Sequence, residues 1–420
     1  MNAIIIFLCF IFVIHPISCQ LIQERYDATS IIKDDMLYVL GGQDQNDKPI
    51  SEILSLNITT SLNVDSPPWS RSLKAPPLAF ELSGAFHGGA NNDSIYVICG
   101  LMNDPASGAN INNEQTLLEY DTQKDVWTRT AMASAPQLNG RVKFALLSDN
   151  KGMVYLHGGY NYYNYTYLGD TYSFDISSIT WTPLPSPQTP IIAADFASVL
   201  LNDGRLVIIG GYEQPENGTL VHRPISQLDM FNTIDKTWTR QTVSQPKEMS
   251  DHRRYHTSTL LPNGDIVIIG GIDVVPNVVI LETTKNQWRI PVVSGIEPPL
   301  LNQHCAELVE NRYIFIMFGK RADGQNSNKL FILDTENYSW ITSPKNKVLL
   351  STVALVFSIL LFGTSVSLYK RRKNRLANVT IQAENVSMSE NVDSHTNIMV
   401  YPNEESHKIK DRKFRIFSNK

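Results

Sequence analysis

Short apolar runs that end in glycine return six times along the chain. They are MLYVLGG at residues 36–42, SIYVICG at 94–100, MVYLHGG at 153–159, RLVIIGG at 205–211, DIVIIGG at 265–271 and YIFIMFG at 313–319. Brief runs of β-branched and aromatic residues bounded by turn residues predict buried strands. A run of alternating residues precedes each of them, joined through turns such as Asn202-Asp203-Gly204 and Pro262-Asn263-Gly264, which are hairpin signals. A second strand follows each glycine, and then one tryptophan: Trp69, Trp127, Trp181, Trp238, Trp288 and Trp340, which are all the tryptophans in the chain. Each period is therefore predicted to be four short antiparallel strands.

An apolar strand running into glycine also opens phosphate-binding turns, but those need further glycines and a helix whose N-terminal amides meet the phosphate. After Gly271 the chain continues Ile272-Asp273-Val274-Val275-Pro276 and then Val278-Val279-Ile280-Leu281. It passes from strand to strand, and the nucleotide reading is excluded. In the last five periods a large apolar residue and an Asp, Glu or Asn stand seven and six residues before the tryptophan: Tyr120-Asp121, Phe174-Asp175, Phe231-Asn232, Leu281-Glu282 and Leu333-Asp334. In the first period Leu56-Asn57 and Leu62-Asn63 both qualify.

These motifs together resemble the kelch repeat, whose unit is a four-stranded propeller blade with a diglycine closing its second strand and a tryptophan opening its fourth. The resemblance implies an all-β fold, a six-bladed kelch-type β-propeller over residues 20–347. The expected physics agrees. Glycine supplies positive φ where blades crowd, and each indole supplies a broad apolar surface to bury between neighbours. One blade cannot cover both its faces, whereas a closed ring of six can. Leu101 and Lys320 stand where the second and sixth copies should carry their second glycine, so those two turns are expected to differ in shape.

The ends of the chain follow other patterns. Residues 1–19 hold an apolar core from Ile4 to Ile14 and then Pro16, Ser18 and Cys19, the form of a secretory signal peptide. Residues 348–369 carry no charge and are long enough to span a bilayer as one transmembrane helix. Lys370, Arg371, Arg372, Lys373 and Arg375 follow at once, which puts that end in the cytoplasm and the propeller outside. Residues 370–420 are poor in large apolar residues and are expected to be a disordered tail. The predicted product is a type I single-pass membrane protein of the plasma membrane, and the tail names no partner of its own.

Charge and cysteine sharpen that picture. The tail holds 11 Lys+Arg and 6 Asp+Glu, so of the chain's 36 basic and 41 acidic residues, 25 and 35 lie before it. A balance of −10 there argues against nucleic acid and against docking on anionic lipid. Cys99 and Cys305 fall in copies two and six, which are not neighbours in a ring of six, so two buried free thiols are expected. Five sequons, at Asn57, Asn92, Asn164, Asn217 and Asn337, fall in predicted turns or loops and fit an exported glycoprotein.

Candidate chemistry is sparse. Secreted kelch propellers include the copper enzyme galactose oxidase, whose site uses two tyrosines, two histidines and a cysteine crosslink. Here both cysteines sit in strands, and the one close histidine pair, His252 and His256, flanks Arg253 and Arg254, which repel a cation. No metal or other cofactor is therefore predicted. An isomerase acting through arginine and carboxylate at the channel mouth is a second enzymatic alternative, with Arg141, Arg253 and Arg254 as the arginines. The loops after the glycines are long in copies two to four, and one contains Tyr160, Tyr162, Tyr163, Tyr165 and Tyr167 around Asn164. Loops gathered on one face carry binding residues, and tyrosine offers flat, half-polar surface. These five tyrosines with Arg253 and Arg254 are the predicted contacts for an extracellular protein or glycan, and the protein is read as a recognition module rather than an enzyme.

Overall fold

A computed structural model describes residues 22–341 except 61, 89–92, 112–113, 133–135, 137, 139, 150, 186–191, 216–217 and 273. The expected leader, membrane span and tail lie outside the described residues. All regular elements described are strands. No helix among the described residues is long and apolar enough to cross a membrane.

Six four-stranded antiparallel sheets follow one another along the chain among the described residues. Sheet one is Thr29–Lys33, Met36–Leu40, Ile53–Asn57 and Ser70–Arg71; sheet two is Gly84–Gly88, Ser94–Ile98, Thr116–Asp121 and Val126–Ala131. Sheet three is Ala145–Ser148, Met153–His157, Thr171–Asp175 and Thr180–Leu184; sheet four is Ala197–Leu200, Arg205–Ile209, Gln227–Asn232 and Thr237–Thr242. Sheet five is Thr257–Leu260, Ile266–Ile269, Val278–Glu282 and Gln287–Arg289; sheet six is Cys305–Val309, Tyr313–Met317, Leu330–Asp334 and Ser339–Ile341. In each sheet the strands pair in sequence order, as four-stranded units must when short turns join them.

The first strands of consecutive sheets pack side by side, and the first strand of sheet six packs on that of sheet one. Each second strand lies between the first and third of its own sheet and is largely buried; Ile266, Val267, Ile268 and Ile269 are an example. Apolar side chains from facing sheets form the joints. Leu37, Val39, Leu54 and Leu56 of sheet one meet Phe315, Met317, Leu330 and Ile332 of sheet six. Each such side chain contributes roughly 1.5–3 kcal/mol by leaving water.

The spacing of seven residues before each tryptophan is a cross-strand register. Trp127 lies opposite Tyr120, Trp181 opposite Phe174, Trp238 opposite Phe231, Trp288 opposite Leu281 and Trp340 opposite Leu333. In sheet one Leu54 pairs with Arg71 and Ser55 with Ser70, which brings Leu56 level with Trp69 and settles the first period in favour of Leu56-Asn57. Only Trp288 and Trp340 are fully buried. The other four are half-buried, because the fourth strand is the outer edge of its sheet and leaves one side of the indole to solvent.

The diglycine turns differ from the expectation in one respect. The second glycine of each pair donates its N–H to a carbonyl leading into the next sheet: Gly42 to Phe80, Gly100 to Arg141, Gly159 to Ala193, Gly211 to Arg253, Gly271 to Leu301 and Gly319 to Arg25. By this equivalence Gly100 and Gly319 are second glycines, and Cys99 and Phe318 replace the first. Both adopt the left-handed backbone, at φ 60° and 62°. Leu101 and Lys320 therefore replace nothing, and the six turns share one backbone form. Cys99 and Cys305 are buried free thiols.

Candidate functional site

Each first strand is preceded by a residue held at positive φ: Asp27 (52°), Leu82 (55°), Lys143 (57°), Asp195 (60°), Tyr255 (57°) and Gln303 (53°). None is glycine, so each carries a backbone cost of order 1 kcal/mol that the surroundings must offset. Backbone hydrogen bonds link neighbours in this set: Asp27 N–H to Gln303 O (3.1 Å), Leu82 to Asp27 (3.0 Å), Gln303 to Tyr255 (3.0 Å) and Tyr255 to Asp195 (3.2 Å). Beyond this break the inner strands resume as short ladders, Glu81 against Leu101, Val142 against Tyr160, Ala194 against Tyr212 and Asn302 against Lys320. A cavity of about 360 Å³ opens at this end of the first strands, lined by Asp27, Lys143, Phe144, Phe196, Gln303 and His304 among others.

Charged groups face one another there. The Lys143 ammonium meets Asp195 at 3.0 Å, donates to the Tyr255 hydroxyl at 2.6 Å and lies 4.4 Å from the Tyr255 ring centroid. Gln303 donates to the Asp27 carboxylate at 2.6 Å. Burial pushes Asp27 up to about 7, against the pull of Lys143 and Gln303. Glu81 is pushed up to about 8 by burial, with Asp27 and Asp47 adding repulsion, and its Oε2 is buried without a hydrogen-bond partner. Burial alone would lower Lys143, but Asp195 and Tyr255 hold it well above the ordinary lysine value. At neutral pH the mouth therefore contains a fixed ammonium, a paired carboxylate and two carboxyls that still carry protons part of the time.

The tyrosine loop is a hairpin, with Tyr160 opposite Tyr167 and Asn161 opposite Thr166. The buried Asn161 side chain accepts the N–H of Tyr163 and Asn164 and fixes the turn. The five tyrosines divide. Tyr163 packs on Gly140, where an added Cβ would come within 2.3 Å of its ring. The Tyr160 and Tyr167 rings meet at a tilt, 4.9 Å between centroids, and burial followed by the charge of Asp195 raises the Tyr167 phenol. Tyr162 and Tyr165 face solvent, Tyr165 with 74% of its surface exposed.

The two arginines part company. Arg253 is buried, and its guanidinium donates to the carbonyls of Gly270 (3.0 Å), Asn277 (3.3 Å) and Pro276. Arg141 does the same to Gly158 (3.1 Å) with a bidentate bond to Asp170, and Arg25 to Gly41 (3.2 Å) with Glu52. These are joints of the scaffold, and the expectation that Arg253 offers a ligand contact gives way to that role. Arg254 instead lies half-buried between the Tyr212 and Tyr255 rings, 5.2 and 5.4 Å from their centroids. His252, expected beside His256, lies against His222 with the rings tilted and 4.7 Å between centroids, while His256 is buried. No cluster of three or more metal-ligating side chains occurs among the described residues.

Sequence reasoning missed Asp27, Glu81, Lys143, Asp195, Tyr255 and Gln303. Aligning the six periods on their first strands puts all of these except Glu81 in one column, ahead of ATS, FAL, FAS, HTS and HCA. Of the sequons, Asn57, Asn164 and Asn337 are exposed, each with its amide oxygen accepting the hydroxyl of Thr59, Thr166 or Ser339. Asn92 and Asn217 lie outside the described residues.

Comparison with known proteins fits this geometry. Four-stranded sheets in succession with glycine-linked joints define a kelch-repeat propeller. The chain belongs to the Attractin/LZTR1 beta-propeller family, whose model matches residues 13–276. The KLHDC2/KLHL20/DRC7 Kelch-repeats domain matches residues 218–357. Acyl-CoA-binding domain-containing protein 4 of Arabidopsis thaliana is 25% identical over 226 residues, 49% of this chain and 32% of that protein. Kelch repeat and BTB domain-containing protein 1 of Horsepox virus is 25% identical over 210 residues, 50% of this chain and 32% of that protein. The chain thus spans about a third of the length of these relatives. The solved structure of YjhT shares the fold, with a TM-score of 0.56 at 13% identity, over 76% of this chain and 97% of that one.

Proposed function

We propose that the six sheets are the blades of a six-bladed propeller displayed outside the cell by a type I single-pass membrane glycoprotein, and that it recognises a protein or carbohydrate ligand at the rimmed mouth. A kelch propeller suggests a protein-binding module in general. The observation that carries the finer reading is the mouth itself: a ring of strained, mostly polar residues around a cavity, flanked by Tyr162 and Tyr165 in solvent. Strain and exposed aromatic area are costs that a purely structural rim does not need. The apolar segments at residues 1–19 and 348–369 and the exposed sequons support the membrane glycoprotein part.

The test expresses the full chain on cells and probes it with an array of extracellular proteins and glycans. A ligand whose binding falls at least tenfold in Tyr162→Ala/Tyr165→Ala is expected. Binding indifferent to both tyrosines overturns the loop-face assignment. A chain that stays unglycosylated and inaccessible to antibody on intact cells overturns the surface assignment.

A further inference from the structure

We infer that Arg254 is the anchor for a single carboxylate side chain within a protein partner. This rests on the loop-face reading above and specifies its chemistry. Arg254 is half-buried, and among the described residues its side chain makes no hydrogen bond or ion pair; the Tyr212 and Tyr255 rings lie against its guanidinium, and Asp195 is the opposite charge nearby. Other cations there are committed: Lys143 to Asp195 and Tyr255, Lys320 to Asp47 and the Tyr26 ring, Arg223 to Asp229 and Glu213. A guanidinium resting against two aromatic rings gives up little side-chain freedom on binding and keeps its planar fork of donors available.

The surroundings choose the ligand. A planar fork matches a carboxylate through two parallel hydrogen bonds. The hydroxyls of Tyr160, Tyr167 and Tyr212 make no hydrogen bond among the described residues, and burial raises the first two phenols, so they stay protonated as donors. A polyanion fits poorly, because the Lys143 ammonium is already paired with Asp195 and residues before the tail are acidic in balance. One carboxylate is what one unspent cation can take. The row continues outward from Tyr212 through His222 (4.6 Å) to His252 (4.7 Å), both exposed. An open row lets a chain run through, so the acid belongs to an internal Asp or Glu rather than to a chain terminus.

The experiment pans the full-length chain, purified in detergent, against a display library of random dodecapeptides with blocked C-termini. Selected peptides are expected to share an Asp or Glu at one fixed position. Changing that acid to its amide, or Arg254→Gln in the protein, should each weaken binding at least tenfold, and both together no more than either alone. Losses that multiply, or an Arg254→Gln protein that binds like wild type, overturn the inference. So does selection that succeeds only when the C-terminus is free, or only with sulfated glycans. If Arg254→Gln does not fold, Arg254→Lys, which keeps the charge and loses the fork, gives the same cycle at smaller size. Peptides sensitive to Tyr165→Ala but not to position 254 sink only this inference. Peptides sensitive to neither sink the loop-face reading as well.

Discussion

Arg253 and Arg254 are adjacent in sequence and belong to two different regions. Arg253 sits buried in a joint between sheets, where both terminal guanidinium nitrogens donate to carbonyls and only Nε finds no partner among the described residues. Arg254 sits at the mouth, where its donors are unspent and two rings hold it in place. In the joints buried arginines bond backbone carbonyls and glycines make room for crossing backbone. At the mouth strain is accepted, carboxyls are held away from their ordinary ionisation, and aromatic surface is left wet. The joints hold the fold together, and the mouth draws on the stability they supply.

The comparison breaks first at Arg253. Arg253→Met removes a buried cation and leaves the carbonyls of Gly270, Pro276 and Asn277 without their donor. The expected loss is about 3–5 kcal/mol in urea unfolding. Arg254→Met should stay within about 0.5 kcal/mol. Equal losses at the two positions would end the distinction between joint and mouth.

Next comes the glycine of the same joint. At Gly270 (φ +71°) an added Cβ would lie 2.2 Å from the Leu301 carbonyl oxygen and 2.7 Å from the His304 ring, both on the segment leading into sheet six. At Gly264 (φ +88°), in the turn between the first two strands of sheet five, the nearest atom is 3.6 Å away. Gly264→Ala pays only for the left-handed backbone, about 1–2 kcal/mol. Gly270→Ala adds a clash with backbone that cannot retreat, and should cost about 1–3 kcal/mol more. Similar melting of the two variants would show that joints tolerate separation.

The joints were legible in the sequence and the mouth was not, for a physical reason. A joint repeats: six sheets need six glycine turns and six tryptophans opposite apolar partners, so the pattern recurs and can be counted. What the pattern hid was register, and one residue of slip turned Cys99 and Phe318 into Leu101 and Lys320 as the odd positions. The mouth does not repeat in chemistry. Asp27, Leu82, Lys143, Asp195, Tyr255 and Gln303 share a backbone conformation and a place but no residue type, and only their convergence gives them meaning. Arg253 and Arg254 could not be told apart in one dimension, because a residue's neighbour in the chain says little about which side of a rim it faces.

A smaller effect separates the regions by pH. The folded protein holds the Glu81 carboxyl at about 8, well above the ordinary value of 4.5, chiefly by burial. The folded state therefore binds a proton that the unfolded chain has released. The favourable contribution is full below about pH 4.5 and is lost as pH rises through about 8, at roughly 1 kcal/mol per pH unit. Glu81→Gln carries no such proton. The variant should match wild type near pH 5 and become progressively more stable than it by pH 8. Buried His157, His256 and His304, held at about 3 to 4 by burial, pull stability down below pH 6.5 in both proteins and cancel in the difference. Parallel stability curves would mean that Glu81 is solvated like an ordinary carboxylate.

The least effect on folding is expected where the mouth is most exposed. Tyr163 and Tyr165 are two residues apart in one hairpin, as different as the two arginines. Tyr163 covers Gly140, so Tyr163→Ala empties packed space and should cost about 2–4 kcal/mol. Tyr165 is 74% exposed and sits at φ 60°, a backbone that an aromatic residue adopts at a cost of about 1–2 kcal/mol. Tyr165→Gly removes that cost and adds chain entropy to the unfolded state worth about 0.5–1 kcal/mol. The two terms nearly cancel, and urea unfolding should shift by no more than about 1 kcal/mol, toward greater stability. A residue whose loss leaves the fold as stable, or more so, is kept for what its side chain touches outside the chain. If Tyr165→Gly instead destabilises by 2 kcal/mol or more, the ring is packing that the hairpin needs, and the tyrosines lose their claim as contact surface.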